Sequence, residues 1–333
     1  MSSSATGLPN LYAVEIQKPD LSKYAQGNTG IPYVWSFDSG VPGPHVGLTA
    51  LVHGNELCGA VALDWLMGMG LRPSTGRLSF AYVNVAAFDR FDPKVPDGSR
   101  WVDEDFNRLW APGVLSDPKR TVTQEVRRAR ELQPWLETLD FLLDIHSMQH
   151  KTEALIIAGP LQKGRAMACD IGWPGVVVCD MGHAEGMRMR DFGDFGNPDS
   201  PRNAALVECG QHWEKESVEV AKDCAVGFLR RTGVVAANFQ ADRMQSRPQK
   251  HPKQIFMVSG PVTIKTERFT FAQDWRGFEH LPKGTLIGHD GDEPVYAPHD
   301  TTVLIMPSRR LWVGKTAVRL AYPVPDESRA AAN

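Results

Sequence analysis

The sequence predicts an α/β fold with a largely parallel sheet, followed by a smaller β module. Through the first two thirds of the chain, short apolar runs alternate with helical stretches. After about residue 235 the helical stretches give way to short alternating runs separated by turn residues such as Gly260, Pro261, Gly284, Gly291 and Pro298. Between the two patterns lies the polar stretch Gln240–Lys253, which holds Pro248 and Pro252 and reads as a linker. The expected division is residues 1–238, an α/β domain, and 239–333, a C-terminal β domain.

The elements follow in order. His45–Gly54 is a short apolar run ending at a glycine, which reads as a buried strand. Glu56–Leu71 follows as a helix, with Leu57, Ala60, Val61, Leu63 and Leu66 at helical spacing. Leu78–Phe88 reads as a second strand. Thr123–Thr138 reads as a helix with a break near Pro134. Phe141–Met148, Ala154–Ala158, Val176–Met181 and Ala205–Cys209 read as further strands. Glu216–Arg231 is an amphipathic helix whose last turn carries Arg230 and Arg231, the charge that suits a helix C-terminus. Beyond the linker, Gln254–Val258, Val262–Lys265, Thr285–Ile287, Val303–Met306 and Ala317–Ala321 are expected strands.

Composition narrows the function. Lys plus Arg number 36 against 39 Asp plus Glu, a net charge of −3. With a pI near 6.4 this argues against a nucleic-acid partner. No apolar run reaches the ~18 residues of a membrane span, and the N-terminus lacks the pattern of a secretory signal. The five cysteines form no Cys-x-x-Cys, so neither a disulfide framework nor a thiolate metal site is indicated. A cytoplasmic protein is the expectation.

Polar groups end three of the expected buried strands: His53-Gly54-Asn55-Glu56, Asp144-Ile145-His146 and Glu208-Cys209-Gly210. Ligands bind at the carboxyl edge of a parallel sheet. Two imidazoles and one carboxylate suffice for a catalytic zinc with an open position, and a further carboxylate could serve as a base. Alone, His53-x-x-Glu56 reads rather as a turn-capping histidine with an acid in the first helical turn, and the three strand ends together favour the metal. A second match, His150-x-x-Glu153, has no such context and reads as chance. Gly314-Lys315-Thr316 lacks the rest of a phosphate-binding loop, and no Gly-x-Ser-x-Gly occurs. The segment Ser99–Arg108 offers arginines suited to a carboxylate or an oxyanion, or else a solvated loop with internal ion pairs.

Taken in chain order, these residues resemble the succinylglutamate desuccinylase/aspartoacylase family, relatives of the zinc carboxypeptidases. His53-Gly54-Asn55-Glu56 is similar to the family's first zinc motif. Val83-Asn84, Arg100 and Asp105-Phe106-Asn107-Arg108 resemble its Asn, Arg and Asp-x-Asn-Arg segment. Asp144-Ile145-His146 resembles the second zinc motif, and Val207-Glu208-Cys209-Gly210 the segment with the catalytic glutamate. The resemblance implies a carboxypeptidase-like mixed sheet and one Zn²⁺ per chain held by His53, Glu56 and His146. It implies Glu208 as the base on the metal-activated water and Arg100 as the oxyanion partner. Asn107 and Arg108 would hold the substrate carboxylate. Arg202 is the nearest arginine before Glu208 to the one that aspartate-selective relatives use for a second carboxylate, and joins the substrate-binding set.

The implied reaction is hydrolysis of a small N-acyl amino acid, with a substrate other than acetylaspartate and possible homo-oligomers. Trp101, Trp110 and Trp213 flank the motifs as pocket walls or as ordinary packing. Asp144 suits a position behind His146, and Asp103 and Asp105 suit contacts with Arg100 or Arg108. His183, in a Gly-rich segment, reads either as part of a mobile cover or as a plain surface loop. Cys209 reads as a packing residue. The alternatives are a metallocarboxypeptidase acting on small peptides and a non-catalytic zinc or ligand-binding protein.

Overall fold

The computed structural model describes residues 12–182, 185–246 and 253–325. The chain runs β1 (Val34–Asp38), β2 (His45–Ala50), α1 (Leu57–Gly68), β3 (Arg77–Tyr82), α2 (Val85–Asp89), α3 (Gln124–Leu136), β4 (Phe141–Met148), β5 (Leu155–Ile157), α4 (Gln162–Ile171), β6 (Val176–Cys179), β7 (Asn203–Gln211) and α5 (Lys215–Thr232). It continues through α6 (Ala241–Gln245), β8 (Gln254–Thr263), β9 (Phe269–Phe271), β10 (His280–Leu281), β11 (Leu286–Asp290), β12 (Glu293–Tyr296), β13 (Thr302–Ile305) and β14 (Thr316–Val324).

The main sheet has 11 strands in the order β1-β3-β2-β4-β7-β5-β6-β8-β14-β13-β10. Its centre, β3-β2-β4-β7, is parallel. These strands are buried along nearly their whole length, as expected where helices cover both faces of a sheet. Side chains alternate between the faces with period two. Ala205 and Val207 of β7 join the core under α1, α4 and α5. Ala204 joins the core under α3 on the opposite face.

The C-terminal strands are less separate than expected. β8 pairs in parallel with β6, so β8, β14, β13 and β10 extend the main sheet. Among the described residues, only β12-β11-β9 forms a sheet of its own, with three strands. The expected strands Gln254–Val258 and Val262–Lys265 are one strand, β8, because a register shift opposite β14 carries the pairing through Gly260 and Pro261.

Other differences have local causes. The strand expected over Leu78–Phe88 stops at Tyr82, because the Asn84 side chain accepts from Ala87 N–H and starts α2. Pro134 lies inside α3, in its last turn. The edge strand β1 and the weakly apolar helix α4 went unanticipated. Part of the Gln240–Lys253 stretch lies outside the described residues; α6 opens it. No described helix is long and apolar enough to cross a membrane.

Candidate active site

The carboxyl ends of β2, β4 and β7 share one edge of the sheet. His53 and Glu56 lie in the turn from β2 to α1. That turn is tightly built. Leu51 has a φ of 64, a left-handed conformation unusual for a leucine. At Gly54 a Cβ would come within 2.4 Å of the Ala87 and Phe88 backbone, so only glycine fits. His146 lies within β4, and its strand partner across the sheet is Glu208 of β7.

These positions bring His53, Glu56 and His146 together with donor atoms within 4.8 Å of one another, all three buried. Glu56 Oε1 lies 2.7 Å from His53 Nδ1, and Oε2 lies 3.0 Å from His146 Nδ1. Each imidazole turns its other nitrogen to an aspartate. His146 Nε2 is 2.9 Å from Asp144 Oδ2, and His53 Nε2 is 3.0 Å from Asp105 Oδ1. Asp144 is itself fixed by the Thr49 hydroxyl, 2.7 Å away. Imidazoles backed by carboxylates are the usual surroundings of a metal-binding histidine.

Burial opposes ionisation of Glu56, yet the flanking imidazoles hold its carboxyl well below the usual range. Burial likewise opposes a charge on His146, but Asp144 and Glu56 raise its pKa well above the ordinary value. The cluster thus concentrates buried negative charge that calls for cationic partners. A divalent cation fits this donor set and would supply that charge.

Burial pushes the Glu208 carboxyl up to about 8; His146 and Arg100 pull it down and Glu56 adds to the rise. Its Oε2 is buried without a hydrogen-bond partner among the described residues. Arg100 reaches Glu56 Oε1 at 3.4 Å and Asp105 Oδ2 at 3.3 Å. The Arg100–Arg108 segment is held from below by buried Glu125 of α3, which accepts from the N–H groups of Val102, Asp103 and Glu104. Asn107 Oδ1 accepts from Met189 N–H, which leaves its amide N–H₂ as the donor.

His53, Glu56, Arg100, Asp105, Asn107, His146 and Glu208 line one pocket, with Trp101, Arg108, Glu185 and Arg188. The C-terminal module closes the far side with Arg276, Ser308, Arg310, Trp312, Lys315 and Arg319. Arg310 donates to Asp97, and Arg319 and Arg188 each reach Asp180 Oδ2 at 3.0 Å.

Arg202 does not join the site. It precedes β7, about 20 Å of extended strand from Glu208 at ~3.3 Å per residue, and its guanidinium donates to Glu137 O at 2.7 Å. Its assignment to substrate binding is therefore corrected: it sits toward the opposite edge of the sheet. Trp101 lines the pocket, whereas Trp110 and Trp213 are buried packing residues bonded to Phe106 O and Asn55 O. His150, from a motif set aside as chance, and Lys315, from an incomplete phosphate-loop match, both line the pocket. Asp103 instead accepts from Gln124 N–H, and Cys209 is buried. His183 lies outside the described residues. Sequence reasoning missed Arg188, Arg310, Arg319 and Trp312, since nothing local marks a surface-type residue as facing a pocket.

Residues 42–199 match the family model of the Succinylglutamate desuccinylase/Aspartoacylase catalytic domain. That segment holds the three clustered residues and Arg100, Asn107 and Arg108; Glu208 lies beyond it. The chain is 21% identical over 300 residues to succinylglutamate desuccinylase of Shewanella baltica, covering 84% of this chain and 83% of the relative. It is 22% identical over 289 residues to the Vibrio cholerae protein of that name, covering 82% and 79%. The crystal structure of the Vibrio parahaemolyticus desuccinylase superposes with a TM-score of 0.63 at 16% identity, covering 88% of this chain and 87% of that one. Murine aminoacylase 3 superposes with a TM-score of 0.57 at 20% identity, covering 85% and 96%.

Proposed function

Because this chain belongs to the succinylglutamate desuccinylase/aspartoacylase family, we propose that it is a zinc-dependent amidohydrolase. Its substrate is a small N-acyl amino acid, cleaved to a carboxylate and a free amino acid. The carrying observation is the buried His53, Glu56 and His146 cluster with Glu208 beside it in one pocket. Zinc would be held by those three residues and, when bound, supplies Lewis acidity that activates a water and polarises a carbonyl.

The protein's own groups divide the remaining work. Glu208, with an unpartnered buried oxygen, takes a proton from the attacking water and delivers it to the departing nitrogen. Arg100 donates to the carbonyl oxygen as it gains negative charge. Asn107 and Arg108 orient the substrate through its carboxylate. Asp105 and Asp144 hold the two imidazoles in place. The C-terminal module narrows the pocket, which supports small acyl amino acids over peptides.

Glu208→Gln tests the assignment. Turnover falls by about 10³-fold or more, while zinc content stays near that of the unaltered protein. Full activity in that variant overturns the mechanism. A screen of N-acyl amino acids against tripeptides, scored for released amine, separates this reading from a carboxypeptidase. Bound zinc with no hydrolysis of either panel would favour a binding protein.

A further inference from the structure

Arg108 lines the pocket between two carboxylates of the protein itself. Its side chain is 18% exposed, and its NH1 donates to Asn107 O. Its Nε is buried and has no hydrogen-bond partner among the described residues. Two carboxylates stand near it, each at 3.8 Å: Asp105 Oδ2 from NH2 and Glu185 Oε2 from Nε. That distance is beyond a hydrogen bond, so the donor face of Arg108 is attracted but unsatisfied. Glu185 is held back by its other oxygen, which pairs with Lys315 of the C-terminal module. Its segment is also fixed against Arg108. Gly186 has a φ of 146, and a Cβ there would come within 2.3 Å of Arg108 O. Trp110 N–H donates to Met187 O.

We infer that Glu185 is an internal competitor for the carboxylate site on Arg108, and that Lys315 determines substrate affinity by drawing Glu185 away. This rests on the reading of Arg108 as the group that takes the substrate carboxylate. A carboxylate docking on the Arg108 Nε face arrives beside the Glu185 carboxylate, and like charges at that range repel. Lys315 offsets the repulsion by keeping Glu185 paired. Lys315 is thus a positioning residue that acts through Glu185 and need not touch the substrate. Anionic substrates bind tightly only while the Lys315–Glu185 pair is intact. A neutral carboxamide gains nothing from it.

The test is a double-mutant cycle read by binding. Calorimetry on the zinc-loaded protein in the Glu208→Gln background measures Kd for a panel of N-acetyl-L-amino acids, and for the carboxamide of the tightest binder. Glu185→Gln tightens the carboxylate by about three- to tenfold and leaves the carboxamide unchanged. Lys315→Met weakens the carboxylate by a similar factor, because Glu185 then turns to Arg108. In the Glu185→Gln background Lys315→Met has no effect. If Lys315→Met weakens binding equally in both backgrounds, Lys315 contacts the substrate directly and the inference is overturned. Weaker binding by Glu185→Gln overturns it too, as does a panel in which nothing binds. Hydrolysis by the unaltered protein is scored separately, so loss of the amidohydrolase reading shows in released amine and loss of this inference shows in Kd.

Discussion

The pocket has two walls built on different principles. On the sheet side, short polar side chains stand on strand ends and a tight turn, and each ligand atom of the His53, Glu56 and His146 cluster has a buried partner. On the other side, long cationic side chains of the C-terminal module reach across, and three of them are held by acids from outside that module. Arg310 meets Asp97, Lys315 meets Glu185 and Arg319 meets Asp180. The first wall is rigid because strands and burial fix it. The second is placed by ion pairs across a gap, so its geometry depends on charge. On the proposed mechanism, chemistry that needs sub-ångström positions sits on the first, and selection among anions suits the second.

The largest expected effect breaks the joint between the walls. Asp180→Asn removes the anion that buried Arg188 and Arg319 share, with Asp191 still paired to Arg188, and should cost about 3 kcal/mol of stability. Urea unfolding measures it, and a loss below about 1 kcal/mol would mean the walls are joined by packing alone. Next comes the first wall's own chemistry. Arg100→Met should lower kcat by about 10²–10³-fold with a smaller change in KM. A loss confined to KM would move Arg100 to substrate binding. Asp144→Asn, which replaces the carboxylate behind His146, should weaken zinc binding by about 10–100-fold. Competition with a chelating dye reads that value, and unchanged affinity would remove Asp144 from the metal's surroundings.

The smallest effect lies at the opposite end of β2. Burial, with help from Arg77, lowers the His45 pKa to about 4, and its Nε2 lies 2.8 Å from Ser79 Oγ. An unfolded histidine titrates near 6.5. Between those values the unfolded chain binds the proton and the folded one does not, so stability falls as pH drops from about 6.5 to 4 and then levels. His45→Gln should flatten the urea midpoint over that window. An unchanged pH profile would assign the acid sensitivity to other groups.

Much of the first wall is legible in the sequence because metal chemistry restricts the residue types and strand ends restrict their places. His53, Glu56, His146 and Glu208 were each marked by a polar group closing an apolar run. Arg202 misled for a physical reason: nearness in sequence to Glu208 means distance in an extended strand, and it faces Glu137 instead. Asp105 was readable as a partner for arginine, but only the folded loop also turns it to His53.

By itself, then, the sequence determined the α/β class, the residue types that cluster and the edge of the sheet where they meet, since periodicity and donor chemistry are local properties. Tertiary structure alone decided which cations face that edge. Arginine and lysine are ordinary surface residues wherever they occur, and Arg310, Lys315 and Arg319 acquire a role only because β14 and the loop before it fold back over strands formed more than a hundred residues earlier.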